Sequence, residues 1–127
     1  MIIVLIHWRI KTTNEDVAAF YKWWTEKATI EDKSSLAGEY LSKPLPAGDF
    51  NFLVDDLSPK VNEVDHWGFV NVGLWDNWKA FYQQVGHNFR DDRGLLPFEA
   101  ARRTRTILEP QQWRIGAWEL PQKGTCD

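Results

Sequence analysis

Residues 64–75 read Val-Asp-His-Trp-Gly-Phe-Val-Asn-Val-Gly-Leu-Trp, and residues 76–89 follow as Asp-Asn-Trp-Lys-Ala-Phe-Tyr-Gln-Gln-Val-Gly-His-Asn-Phe. In an extended chain, side chains alternate between two faces. Trp67, Phe69, Asn71, Gly73 and Trp75 then share one face, and His66, Gly68, Val70, Val72 and Leu74 share the other. Both faces are largely apolar, the mark of a strand covered on two sides. In the second run Trp78, Phe81, Tyr82 and Val85 recur at helical spacing and form one stripe. Asp76 is a candidate N-cap, and Gly86 is a candidate stop unless residues 87–89 add another turn. Only two residues separate strand from helix, so the chain must build a sheet with a helix returning across it.

The preceding residues suit that plan. Residues 2–10 are β-branched and apolar and read as a first strand. Ile2, Val4, Ile6, Trp8 and Ile10 line one face; Ile3, Leu5, His7 and Arg9 line the other. Thr13 or Asn14 can cap a helix expected over about residues 14–29. Val17, Phe20, Tyr21, Trp24 and Ala28 follow the spacing of one helical face. Residues 36–43 suggest a second strand, ended by Pro44 and Pro46. Residues 50–54 offer a short extra strand or ordered loop within a long 44–63 connection, and connections of that length are often lids or partner-binding arms. Residues 97–101 suggest a short helix opened by Pro97. Residues 103–108 and 112–120 read as a last strand interrupted near Pro110, and residues 121–127 as a tail. The order strand, helix, strand, strand, helix, strand predicts an α+β, ferredoxin-like βαββαβ sandwich with an antiparallel sheet. Ala19-Phe20-Tyr21 and Ala80-Phe81-Tyr82, each on the helix after a strand containing Trp8 or Trp75, agree with two β-α-β halves.

Composition narrows the classes of function. A 127-residue chain suits one domain with a real core. The net charge of -3 argues against a nucleic-acid surface. The lone Cys126 leaves no intramolecular disulfide and no cysteine metal site, which fits a cytoplasmic protein. The apolar start is followed at once by His7, Trp8 and Arg9, unlike a secretory leader or a membrane span. Eight Trp, seven Phe and three Tyr are more rings than a small core easily takes. Some are expected at a cavity or a subunit interface.

Residues 72–81 resemble antibiotic-biosynthesis-monooxygenase-like (ABM) domains of the dimeric α+β barrel superfamily. The resemblance rests on a strand-ending Trp75 followed by a helix with Phe81 six residues on, loosely echoed by His87-Asn88-Phe89. Residues 44–63 and 90–103 depart from that compact pattern. The resemblance implies one domain over residues 1–120 and a homodimer whose sheets pack together, with a cavity between each sheet and its own helices. It also implies activities among cofactor-independent oxygenases of aromatic compounds, heme-degrading enzymes and small isomerases.

His7, with Arg9 two residues on, has the pKa range for proton transfer; the alternative is a partly buried histidine bonded to a neighbour. Asn71 interrupts an apolar strand and must find a partner, either a substrate oxygen or a protein group. His7, Asn71 and Arg9 are therefore the catalytic candidates, and Trp67, Phe69, Trp75 and Phe81 the candidate substrate walls, with Trp75 equally a plug between strand and helix. His87 is a weaker ligand candidate. His66, Asp55, Asp56, Glu63 and Asp65 match no metal-ligand spacing, and Arg102, Arg103 and Arg105 read as a solvated basic cluster or interface ion pairs. Three functions follow. The first is cofactor-independent oxygenation of a small hydrophobic or aromatic molecule, with no metal or cofactor. The second is heme binding or degradation through His7 or His87. The third is a non-enzymatic dimeric receptacle. Neither nucleic acid nor membrane is expected as a partner.

Overall fold

The computed structural model describes residues 1–45, 57, 59, 65–89 and 94–117. The elements run β1 (Ile2–Lys11), α1 (Asn14–Glu26), β2 (Leu36–Ser42), β3 (His66–Trp75), α2 (Trp78–Val85) with a 3-10 turn (Gly86–Phe89), and β4 (Glu99–Leu108). The four strands form one sheet in the order β2-β3-β1-β4, and every neighbouring pair is antiparallel. This is the ferredoxin-like α+β arrangement. The most apolar strands, β1 and β3, lie at its centre, paired without a break from Ile2↔Trp75 to Lys11↔His66.

The helices cover one face. Val4, Ile6, Trp8 and Ile10 of β1, with Phe69 and Trp75 of β3, are buried beneath Phe20 of α1 and Phe81 of α2. The rings fall into two groups. Phe20 meets Trp8, Phe69 and Phe98 at 5.1, 5.3 and 5.5 Å. On the other side Phe81 meets Trp75 and Phe89, both at 5.7 Å. Gly73 makes the second group possible: a Cβ there would stand 3.0 Å from the Trp75 indole nitrogen. Both helices are capped locally. Thr13 Oγ1 accepts from Asp16 N at 3.1 Å, and Asn77 Oδ1 accepts from Ala80 N at 2.9 Å.

Several boundaries differ from the sequence-based expectation. Asn77, not Asp76, caps α2, because its carboxamide oxygen accepts from the free amide of Ala80 in the first turn. The first helix stops at Glu26 with Lys27 at its C-cap, three residues early. Pro97 and Phe98 form a turn rather than a helix, and β4 starts at Glu99, which pairs with Ile10. Residues 109–116 carry no strand after Pro110. The expected strand at residues 50–54 lies outside the described residues, as does the tail.

Candidate functional site between the sheet and the helices

The register decides which candidates meet. Ile6 faces Asn71 across β1 and β3, and His7 faces Val70. Facing residues point the same way, so Asn71 lies with Ile6 on the helix side and His7 lies on the open side. Arg9, opposite Gly68, joins His7 there. The structure therefore does not bring His7 and Arg9 together with Asn71, although each strand has the two faces expected of it.

Asn71 is 1% exposed and fully engaged. Its Oδ1 accepts the Trp24 indole N–H at 2.6 Å, and its Nδ2 donates to Glu39 Oε1 at 2.8 Å. An indole can only donate, so it fixes the amide orientation and aims the NH₂ at the carboxyl. Glu39 reaches this position because β2 pairs it with Gly73, on the helix side. Burial raises its pKa above the ordinary glutamate value, against the opposing effects of the Asn71 hydrogen bond and the Lys33 charge.

The Trp24–Asn71–Glu39 chain borders a cavity of about 30 Å³ on the helix side. Ile6, Trp8, Trp23, Ile30 and Val85 give it apolar walls, and Asn88, Arg103 and Arg105 add polar ones. The volume suits water-sized occupants. Arg103 is neutralised: its Nη1 donates to Glu99 Oε1 at 2.8 Å, and its guanidinium lies 5.2 Å from the Trp8 ring centre. Arg105 is not paired that way. Its Nη2 reaches Asn88 O at 3.4 Å, and its guanidinium lies 4.1 Å from the Phe89 ring centre. Burial, followed by the like charges of Arg103 and Arg102, lowers its pKa to about 10, so it stays cationic at neutral pH.

The remaining candidates occupy other places. Trp75 and Phe81 are buried against each other, and Phe69 lies within the α1-side ring group. Trp67 is half-buried, with Lys43 Nζ 4.8 Å from its ring centre. None of these four lines the 30 Å³ cavity. His7 Nε2 lies 3.2 Å from Thr106 Oγ1, and Arg9 Nη1 donates to Arg102 O at 2.9 Å. Both border a second hollow, of about 240 Å³, lined also by Trp8, Leu57, His66, Gly68 and Phe69, so Phe69 is the one candidate wall residue that meets them there. His87 is exposed on the 3-10 turn. Sequence reasoning missed Glu39, Trp24 as the amide's partner, and the inward setting of Arg103 and Arg105. The usable signal for Glu39 was a lone carboxylate inside a strand. Among the described residues no cluster of three or more His, Cys, Asp or Glu is placed to hold a metal ion, and no helix is long and apolar enough to cross a membrane.

No protein-family model matches the chain, and no curated protein does. Among solved structures it is similar to a variant of MhuD crystallised with two manganese protoporphyrin IX molecules bound per active site. The TM-score is 0.53 at 12% identity, over 91% of this chain and 100% of that one. The likeness is one of fold, and at that level it agrees with the ABM resemblance. A porphyrin iron needs an axial donor, most often His, Cys, Met or Tyr. The helix-side cavity of this chain is lined by none of these. The described residues therefore do not fit a metalloporphyrin on this side of the sheet.

Proposed function

We propose that the protein is a cofactor-independent, oxygenase-like enzyme acting on a small hydrophobic or aromatic molecule held between sheet and helices. The observation that carries this reading is the buried Glu39, raised in pKa and held by an oriented Asn71 on the wall of a cavity. A carboxyl moved toward neutral pH is suited to taking a proton from an activated carbon. Asn71 positions it through the hydrogen bond from its Nδ2. For an activated ring CH₂, deprotonation followed by addition of O₂ and loss of water gives the ring C=O; CH₂ and O₂ become C=O and H₂O without a further reductant. Because the cavity holds only water-sized space, an aromatic substrate fits by displacing side chains at the end of α1, where Trp23, Trp24 and Ile30 form one wall.

The test is oxygen uptake with anthrone, whose ring CH₂ is activated. The parent and His7→Gln proteins are expected to turn over, and Glu39→Gln to lose about 100-fold or more. Full activity in Glu39→Gln would overturn the assignment. A second reading, a non-enzymatic receptacle, draws on the small cavity and on Asn71 having only protein partners. Saturable anthrone binding without oxygen uptake would favour it. The heme alternative draws on the porphyrin of the MhuD variant, with His87 or His7 as ligand. A heme titration with no saturable Soret shift would set it aside.

The open face supports a homodimer. Ile3, Leu5, Val70, Val72 and Leu74 form a half-buried apolar surface opposite the helices, of a kind that marks association. Sedimentation velocity is expected to give twice the chain mass.

A further inference from the structure

Two polar groups on the cavity wall lack protein partners: the Trp8 indole nitrogen, on a side chain only 4% exposed, and Arg105 Nε. Buried polar atoms are rarely left this way. Both are donors with no accepting capacity, so what complements them is an acceptor. Among the described residues Arg105 has no carboxylate in ion-pair contact, whereas neighbouring Arg103 is matched by Glu99. Glu99 Oε2 is also without a partner, but that carboxylate already pairs with Arg103, so the two guanidiniums outnumber it and the complement of Arg105 is an anion. Beside the polar Glu39, Asn71, Asn88 and Arg103, the wall has an apolar part from Trp23, Trp24 and Val85 that includes two indole rings. From this we infer that the helix-side cavity takes its ligand as an aromatic carboxylate, the carboxylate seated between Arg105 Nε and the Trp8 indole N–H and the ring against the tryptophans.

The inference rests on the proposed reading of this cavity as the ligand site, and it names the class of ligand. It also orients that ligand: the charged end is held from β1 and β4, which leaves the Glu39 carboxyl on β2 for the other end. An unpaired guanidinium discriminates between ligands of equal shape by charge.

The test compares benzoate with benzamide, its neutral counterpart, in titrations of the full chain followed by indole N–H shifts in a ¹H–¹⁵N spectrum. Benzoate is expected to saturate, move the Trp8 indole signal, and bind about tenfold or more tighter than benzamide. Arg105→Gln is expected to erase that preference. Trp8→Phe is expected to weaken benzoate several-fold while leaving benzamide unchanged, so the inference stays testable if Arg105→Gln folds poorly. If both compounds move the cavity indoles with equal affinity, the anion inference fails and the cavity reading stands. If neither moves them, both fail. Benzoate binding that survives Arg105→Gln unchanged would also overturn the inference.

Discussion

The two faces of the central strands are built from the same alternating sequence and do different work. On the helix side, β1 and β3 contribute Trp8, Phe69 and Trp75 to a packed aromatic core, with a polar seam at Asn71 and Glu39 between the two ring groups and the Arg103–Glu99 pair beside it. On the open side, the same strands present smaller aliphatic residues together with His7 and Arg9, which bond to exposed or half-exposed groups of β4. A histidine in reach of solvent can meet its needs with a hydroxyl or with water. A buried amide cannot, and it needs both of its partners in place. The polar residue on the crowded face is thus the more demanding and the more informative of the two.

Substitutions should separate the faces by size of effect. Phe69→Ala removes a ring from the α1-side group and should cost about 3–5 kcal/mol by chemical denaturation. Val70→Ala, one residue away on the half-buried face, should cost clearly less; equal costs would mean that both faces are core in the folded chain. Asn71→Ala should cost about 1–3 kcal/mol, because it strands the Trp24 donor and leaves Glu39 without its amide.

The pH dependence of stability sharpens the contrast. With the Glu39 pKa raised in the folded state, the folded chain keeps a proton that the unfolded chain has already released. Stability from this group is therefore fully present below the ordinary glutamate pKa of 4.5 and is lost as pH rises through the raised value. Between those two points stability falls as pH rises, by no more than the linkage slope of one proton. Thermal melts of the Glu39→Gln protein should lack that fall, and the difference from the parent should widen from pH 4 toward neutrality. The smallest effect belongs to the open face. His7→Ala should change monomer stability by no more than about 0.5 kcal/mol, since its partner Thr106 is exposed. Any larger change should track protein concentration, as dimerisation requires.

Much of this was legible in the chain itself. The period-two runs located β1 and β3, the i, i+3, i+4 stripes located both helices, and the two-residue junction after Trp75 located the entry to α2. Pairing register and helix placement were not legible, because they depend on contacts between distant segments. His7 and Asn71 sit in strands that each offer two faces, and only the pairing of Ile6 with Asn71 shows that they look in opposite directions. Glu39 lies in a short strand, shifted in register between Leu36 and Gly38, where alternation alone gives no side. Arg103 and Arg105 read as a solvated cluster because a run of arginines usually is one; here the sheet turns both toward the helices. Pro97 suggested a helix start, but pairing of Glu99 with Ile10 drew the following residues into β4 instead.

The most direct test of where the ligand sits is a pair of substitutions, one on each face, read by anthrone binding through tryptophan fluorescence. Asn71→Leu keeps the branched outline and removes the amide; His7→Leu removes the imidazole on the opposite side. Loss of binding in Asn71→Leu with binding retained in His7→Leu is the expected result and places the site between sheet and helices. The reverse pattern would contradict that placement and move the site to the His7–Arg9 hollow on the open face.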